Sequence, residues 1–472
     1  MSMSTRGALS FALMILVLCC APPSASAATI RVDSFKDKPD VTLDGNCEAA
    51  NGDCTLRAAL REASFGFFPG LDTIKLKAGT YKLKDVESSV VDTPDLDVQE
   101  QVSVVGRGMN RTTVEQTADA GVFEVYTVPG ITTFTKLTIR GGRAPGGAGI
   151  ASRQMLVLDR VKLTDNVAES STSTIAGGAL HSSNALSVTR SKIVGNRAHT
   201  SAMGASASGG GIYHGAIETA DTLEIHRTVI ARNEATTSGA ADNSGAGGVL
   251  STGIASIEES TIADNEADHA GGGVFHTASD AGSHTLTITR STLSGNTAQH
   301  GGGLIAYHPV VIENSTVSDN TVSGPIANGG AIYRAGGTTI GLDHVTVTGN
   351  VAPPGKVDGL FSDPSAGAIT LNSSLIANPG TDCGGTGMIT SLGYNVSSGS
   401  TCPLTGTGDL NSANTMVLPL ADNGGPTETV AFRGASDAKN AVTAGCPPPI
   451  TDQRGVTRPQ GSACDAGAYE KD

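Results

Sequence analysis

The chain has no tryptophan, and aromatic residues make up only 4% of its 472 positions. A large aromatic core is excluded. Charged residues are 16%, the formal net charge is −14, and no basic run occurs. Nucleic acid is therefore a poor partner, although a local basic groove remains compatible with the composition. Long apolar runs are missing beyond the first residues, so no membrane span is expected after them. Without CxxC spacings or clustered histidines, a zinc site has no support and no metal is expected. No serine nucleophile elbow is present, and Gly106-Arg107-Gly108 opens no strand–helix–strand unit. Neither serine hydrolase chemistry nor a dinucleotide cofactor is indicated, and no cofactor is expected.

Glycine, by contrast, is abundant at 61 residues, roughly twice average usage. With Ser, Thr, Asn and Ala filling the chain, this mixture could mean disorder. The ordered return of Val, Ile and Leu argues against that.

Residues 1–27 read as a secretory signal. Arg6 precedes the apolar run Ala8–Ala21, and Ala25-Ser26-Ala27 gives a small-x-small cleavage site. The alternative is a membrane anchor, for which the run is short. Cys19 and Cys20 suggest a lipoprotein, but Leu18 stands where a small residue is wanted before Cys19. Removing Arg6 with the signal takes the charge from −14 to −14 − 1 = −15. The expected location is secreted or on the surface of a bacterium, with the periplasm or an outer-membrane association as further options. The last residues, Glu470-Lys471-Asp472, show no hydrophobic tail or sorting signal.

Cys47, Cys54, Cys383, Cys402, Cys446 and Cys464 remain after cleavage, all near the two ends. An even count in an exported chain reads as disulfides. Spacing alone does not separate the possible pairings, but locality favours Cys47–Cys54, Cys383–Cys402 and Cys446–Cys464.

The organising stretch is Ala255–Leu304. In it an aliphatic residue stands three places before an Asn twice, at Ile262…Asn265 and Leu293…Asn296. A Gly cluster followed by an aliphatic also occurs twice, at Gly271–Val274 and Gly301–Leu304. Neither half can bury its apolar residues alone, so the two read as stacked coils of a solenoid. The Asn series extends to Asn166, Asn196, Asn233, Asn265, Asn296, Asn320 and Asn350, at spacings of 30, 37, 32, 31, 24 and 30. The Gly-aliphatic marks end at Leu180, Ile212, Val249, Val274, Leu304, Ile332 and Ile369. Insertions such as Thr200–Ser208 and Thr236–Gly245 read as projecting loops. Asn is expected to take left-handed dihedrals at one corner and to form an amide ladder, with Gly at the other corner. A leucine-rich repeat would want Leu five places before each Asn. Val161, Ser191, Thr228, Ser260, Ser291, Ser315 and Val345 stand there instead.

Thr29–Val32, Asp72–Leu83, Val102–Val105 and Val122–Val125 alternate as strands. Thr55–Ser64 is a helix: Thr55 caps it, Leu56, Ala59, Leu60 and Ala63 form an apolar face, and Arg57, Arg61 and Glu62 a polar one. It is expected to cover the exposed end of the solenoid, pinned by Cys47–Cys54.

Cys54-Thr55-Leu56-Arg57-Ala58-Ala59-Leu60-Arg61-Glu62-Ala63, followed by Asp72-Thr73-Ile74 and Ala78-Gly79-Thr80-Tyr81, resembles the CSLREA domain of exported bacterial proteins over Thr29–Leu83. Thr55 replaces that family's Ser. Asn423-Gly424-Gly425-Pro426-Thr427, Asp452-Gln453-Arg454-Gly455, Arg458-Pro459 and Asp465-Ala466-Gly467-Ala468-Tyr469-Glu470 resemble the choice-of-anchor Q domain over the last part of the chain. The Gly-aliphatic and aliphatic-x-x-Asn pairing is similar to polymorphic outer-membrane protein repeats, with Ile, Leu or Val where those carry Phe. These resemblances imply a right-handed β-helix on a cell surface and no known chemistry. The fold expected is all-β, a right-handed single-stranded parallel β-helix of the pectate-lyase-like kind with a short N-terminal capping helix. Its expected parts are 1–27 signal, 28–83 N-terminal cap and first strands, 84–380 repeats, and 381–472 final coils and opposite cap.

Two rows offer chemistry. Residues following the Gly-aliphatic marks are His181, Tyr213, Leu250, Phe275, Ile305 and Tyr333, which strand alternation points outward. Tyr213, Phe275 and Tyr333 are the candidate ligand-binding residues, as a platform for sugar rings. Loops folding over the row are the structural alternative. A second row, six and seven places before each Asn, contains His226, Arg227, Glu258 and Glu259, the candidate catalytic cluster. Glu259 falls between Arg227 and Arg290 on neighbouring coils, so a solvated charge ladder is the structural alternative. A lyase would need an Arg or Lys base and acidic Ca²⁺ ligands, and a hydrolase paired carboxylates. No Asp cluster of the lyase kind is visible, so Ca²⁺ enters only with a lyase activity. The preferred reading is a non-catalytic exported contact protein for polysaccharide or cell-surface glycan. The alternative is a polysaccharide lyase or glycoside hydrolase.

Overall fold

The computed structural model describes residues 27–64, 70–84, 93–126, 130–218, 221–238, 244–278 and 284–472. The expected secretory signal lies outside them except for Ala27, and so does part of the loop Thr236–Gly245.

One coil shows the unit. Leu286–Thr289 is a strand, the chain turns at Arg290, and Thr292–Ser294 is the second strand. It turns again at Gly295 into the short strand Thr297–Ala298, and Leu304–Ala306 closes the coil. Each strand pairs in parallel with its equivalent in the next coil. Stacking merges the first and second strands into a 23-stranded sheet, with an 11-stranded and a 7-stranded sheet completing the walls. The fold is a right-handed parallel β-helix. Inward residues such as Leu286, Ile288, Leu293 and Leu304 join one continuous core from Val32 to Leu404. Such a core grows lengthwise, which is how a chain poor in large aromatics fills it.

The ladder of asparagines is present, but its geometry differs from expectation. Asn233 Nδ2 donates to Asn265 Oδ1 at 2.9 Å, Asn265 to Asn296 at 2.9 Å, and Asn296 to Asn320 at 2.9 Å. The left-handed residue is the one before: Asp165, Gly195, Arg232, Asp264, Gly295, Asp319 and Gly349 all have positive φ. Asn keeps ordinary dihedrals so that its amide can point into the wall. The positions that exclude a leucine-rich repeat form a second ladder. Thr228 N donates to Ser260 Oγ, Ser260 N to Ser291 Oγ and Ser291 N to Ser315 Oγ, each at 3.0–3.1 Å. Ile369 is not a Gly-corner mark: it pairs with Ile340 in the first-strand position, and Leu360 takes the corner place beside Ile332.

The helix Leu56–Ala63 packs over the first coils, capped by the Thr55 side chain, which accepts from Ala58 N. Its expected polar face is largely buried as well. Arg57 pairs with Asp37 at 2.7 Å and donates to the carbonyls of Thr93, Pro94 and Asp95. Glu62 accepts from the backbone N–H of Asp44 and Gly45. The charges staple surrounding loops to the helix. The three disulfides are Cys47–Cys54, Cys383–Cys402 and Cys446–Cys464.

The stretch read as final coils and cap divides. Cys383–Gly385, Met388–Gly393 and Val396–Ser397 make the last coil, and Leu404 covers the core beside it. Residues 411–472 turn back along the flank. They carry the antiparallel pair Val417–Ala421 and Thr429–Phe432, and their own core of Phe432, Ala438, Val442 and Ala466 packs on Leu375 and Val396. Gln453 is fully buried against the second strands, accepting from Thr316 Oγ1 at 2.7 Å, with its Nε2 2.9 Å from Thr292 Oγ1. No helix among the described residues is long and apolar enough to cross a membrane.

Candidate functional site

The outward row on the 11-stranded sheet is continuous and in register. His181 stands beside Tyr213, Tyr213 beside Leu250, Leu250 beside Phe275, Phe275 beside Ile305, Ile305 beside Tyr333, and Tyr333 beside Phe361. Phe361 was not in the sequence row because the misplaced mark at Ile369 hid it. The corner row beside these side chains runs Ser208, Gly245, Ala270, His300 and Asn328, and the His300 ring meets Tyr333 edge to face at 5.2 Å. A Cβ on Gly245 would stand 2.5 Å from the Phe275 ring, so glycine is required there. His181 and Tyr213 meet edge to face at 5.1 Å, Phe275 lies 5.7 Å from the exposed Tyr307, and Tyr333 stacks on Phe361 at 4.7 Å. Leu250 and Ile305 are buried, while Tyr213, Phe275, Tyr333 and Phe361 are half-buried. Burial raises the phenol pKa of Tyr213 and Tyr333 and keeps both neutral. The row is thus neither bare nor fully roofed: its four aromatic side chains are mostly packed and keep a minority of their surface in solvent.

At its N-terminal end the row meets a cleft of about 470 Å³ lined by Asp95, Phe123, Glu124, Arg153 and His181. Beside it Asp95, Asp97 and Glu124 bring carboxylate oxygens within 4.8 Å of one another. No spacing in the sequence marks this cluster, because Asp97 and Glu124 come from different coils and meet only through strand pairing. Burial, and then the neighbouring Asp95, push the Asp97 carboxyl up. This is the one group among the described residues with the spacing to hold a cation.

The second row also stands as spaced. His226 pairs with Glu258 in register, and Glu258 with Thr289. The residue after each is left-handed: Arg160, Arg190, Arg227, Glu259, Arg290, Asn314 and His344 all have φ near +50°. These are corner residues between the first and second strands of each coil. Glu259 joins Arg227 at 2.5 Å and Arg290 at 2.6 Å, and Glu258 joins Arg290 at 2.7 Å. His226 lies 3.4 Å from Glu258. Burial alone would raise the Glu259 carboxyl, but Arg227 and Arg290 outweigh it and hold the group below its ordinary value. It is an ionised partner of two guanidiniums and is not poised to donate a proton.

The row is interrupted by the returning chain. From Arg290 onward it is covered: Thr427 donates to Arg290 O, and buried Asn314 donates to Thr451 O. The border of this cover and the open corner form a cleft of about 500 Å³ lined by Arg227, Val229, Glu259, Thr261, Pro426 and Arg454. The acidic trio lies three coils away and on a different sheet.

No protein-family model matches the chain. No curated protein matches it either. Among solved structures, the crystal structure of pectate lyase Pel9A aligns with a TM-score of 0.43 and 13% identity, covering 95% of this chain and 98% of that one.

Proposed function

We propose that the protein is a non-catalytic contact protein that holds an extended glycan along the outward row of the 11-stranded sheet. The observation that carries this is the register of Tyr213, Phe275, Tyr333 and Phe361 on one face, with each side chain partly exposed. Strand spacing sets side chains about 4.8 Å apart per coil, so the rings form a track rather than a point. Aromatic faces with a polar edge suit sugar rings, which present apolar C–H faces and hydroxyl rims. Three disulfides fit an oxidising compartment, in agreement with export to the cell surface. The pairing of Glu259 with two arginines favours a structural role for the charged row.

The cleft beside Arg227 and Glu259 is the observation that keeps a polysaccharide lyase or hydrolase as the second reading. One experiment separates the two. Titrate neutral glycans and polyuronates, with and without Ca²⁺, and follow both binding and new reducing or unsaturated ends. The contact reading expects binding without turnover, weakened at least about tenfold, or about 1.4 kcal/mol, in Tyr213→Ala with Tyr333→Ala. Arg227→Ala should bind as the parent does. Binding indifferent to the tyrosines overturns the track, and turnover lost in Arg227→Ala or Glu258→Ala establishes the enzyme.

A further inference from the structure

The corner between the first and second strands is charged unevenly along the solenoid. Three successive coils take it as Thr135–Thr138, Asp159–Lys162 and Thr189–Lys192, stacked in register. Lys136, Arg160 and Arg190 occupy the turn itself, each with positive φ. Lys162 and Lys192 follow two places on, where strand alternation points them away from buried Leu163 and Ile193. The result is two parallel rows of cations that step about 4.8 Å per coil. Five cations stand here with one carboxylate, Asp159, on a chain of net charge −14.

The fold answers the arginines of this corner with acids. Asp159 pairs with Arg160 at 2.8 Å and with Arg190 at 2.7 Å, and Glu259 pairs with Arg227 one coil on. Among the described residues Lys136, Lys162 and Lys192 meet no carboxylate. Lys162 stands directly beside Lys192 in the ladder, and like charges in that position destabilise a sheet. These lysines therefore carry charge that the fold does not use. The previous coil extends it, since Gly106 N donates to Thr135 O and exposed Arg107 and Arg111 follow. At the other end the rows stop at the cleft lined by Arg227, Pro426 and Arg454, where the returning chain begins to cover the corner. The excess cations thus lie on the stretch that residues 411–472 leave bare.

We propose that these two rows bind a linear acidic polysaccharide, laid along the solenoid axis with its carboxylates among Lys136, Lys162 and Lys192. The surface is on a different sheet from the aromatic row and does not rest on it. Charge spacing chooses the polymer. A glycan with one carboxylate per sugar presents its charges at about the step of one coil, about 4.8 Å. Duplex DNA presents one charge per about 1.7 Å, and the rest of this acidic chain repels so dense a polyanion more strongly. Proteins that hold single-stranded nucleic acid add aromatic side chains for the bases to stack on, and neither row contains one. Arginine takes a carboxylate through its planar fork and lysine as a point charge, so both residue types here suit the ligand.

The experiment is equilibrium binding of polygalacturonate and of its fully methyl-esterified form, which has the same backbone without the charge. At low salt the parent is expected to hold the acid form about tenfold tighter than the ester, and to lose that preference as salt rises. Lys162→Gln with Lys192→Gln is expected to bring the two forms within about threefold of each other. Lys356→Gln with Arg433→Gln makes the same change of net charge in the C-terminal half and is expected to keep the parent's preference. Tyr213→Ala with Tyr333→Ala, which tests the aromatic row, is expected to weaken both forms alike and leave their ratio, so the failure of one surface is distinct from the failure of the other. No preference for the acid form, a preference that the lysine variant keeps, or a tighter hold on single-stranded DNA overturns the inference. If circular dichroism shows the lysine variant misfolded, Arg160→Gln with Arg190→Gln replaces it with the same expected outcomes.

Discussion

At the scale of the residue, the repeat is held by amides rather than by large side chains. Asn265 is buried, donates to Ile230 O at 3.0 Å and to Asn296 Oδ1, and accepts from the backbone and side chain of Asn233. Asn265→Ala removes these bonds and leaves buried partners on two coils without theirs. An unmet buried polar group costs about 1–3 kcal/mol, so the variant is expected to lose about 3 kcal/mol in chemical denaturation. A loss below about 0.5 kcal/mol, the range of surface changes, would mean that the ladder is incidental. The ladder itself was legible, since Asn recurs with an aliphatic three before it. The left-handed corner was assigned one residue late. The signal was there: Asp or Gly precedes nearly every one of these asparagines, as in Asp264-Asn265 and Gly295-Asn296. Both types tolerate positive φ, and neither is needed inside.

At the scale of the element, what the sequence conveyed was periodic and what it concealed was contact across distance. The repeat of strands and the outward aromatic row follow from spacing, and the three disulfides from the preference for local pairing. The trio Asp95, Asp97 and Glu124 and the docking of residues 411–472 join positions far apart in sequence, and no local pattern announces either. The docking centres on Gln453. Its Nε2 reaches Ser291 O, Thr292 Oγ1, Thr427 Oγ1 and Glu428 O, and its Oε1 accepts from Thr316. Arg458 and Glu470, both fully buried, pair at 2.8 Å behind it. Gln453→Ala strands several of these groups and is expected to loosen the segment while the coils stay intact. Limited proteolysis should then cut residues 411–472 at protease levels the parent survives, with the Cys446–Cys464 crosslink still formed. Unchanged protection would place the holding energy in the Phe432 and Leu375 packing instead.

At the scale of the whole molecule, the solenoid carries packed titratable groups that answer acid in opposite directions. Burial, first among the causes, pushes His214, His276 and His300 down to about 4. The unfolded chain takes up these protons near pH 6.5 and the folded chain withholds them, so their contribution to stability is lost as pH falls from about 6.5 to 4. Asp465 works the other way. Burial raises its carboxyl to about 6, against the hydrogen bonds from Asn440 and Lys471. The folded chain then holds a proton that the unfolded chain takes up only near pH 4, so this group adds stability as pH falls from about 6 to 4. Differences between variants isolate the two. His276→Ser, which places at that position the residue found in the paired Ser251, should flatten the fall in melting temperature between pH 7 and pH 5. Asp465→Asn should steepen it, because the opposing group is gone. Melting curves at pH 7, 6 and 5 decide the matter. If both variants track the parent at every pH, these buried groups do not set the acid response, and it lies with the exposed charges of the open corners.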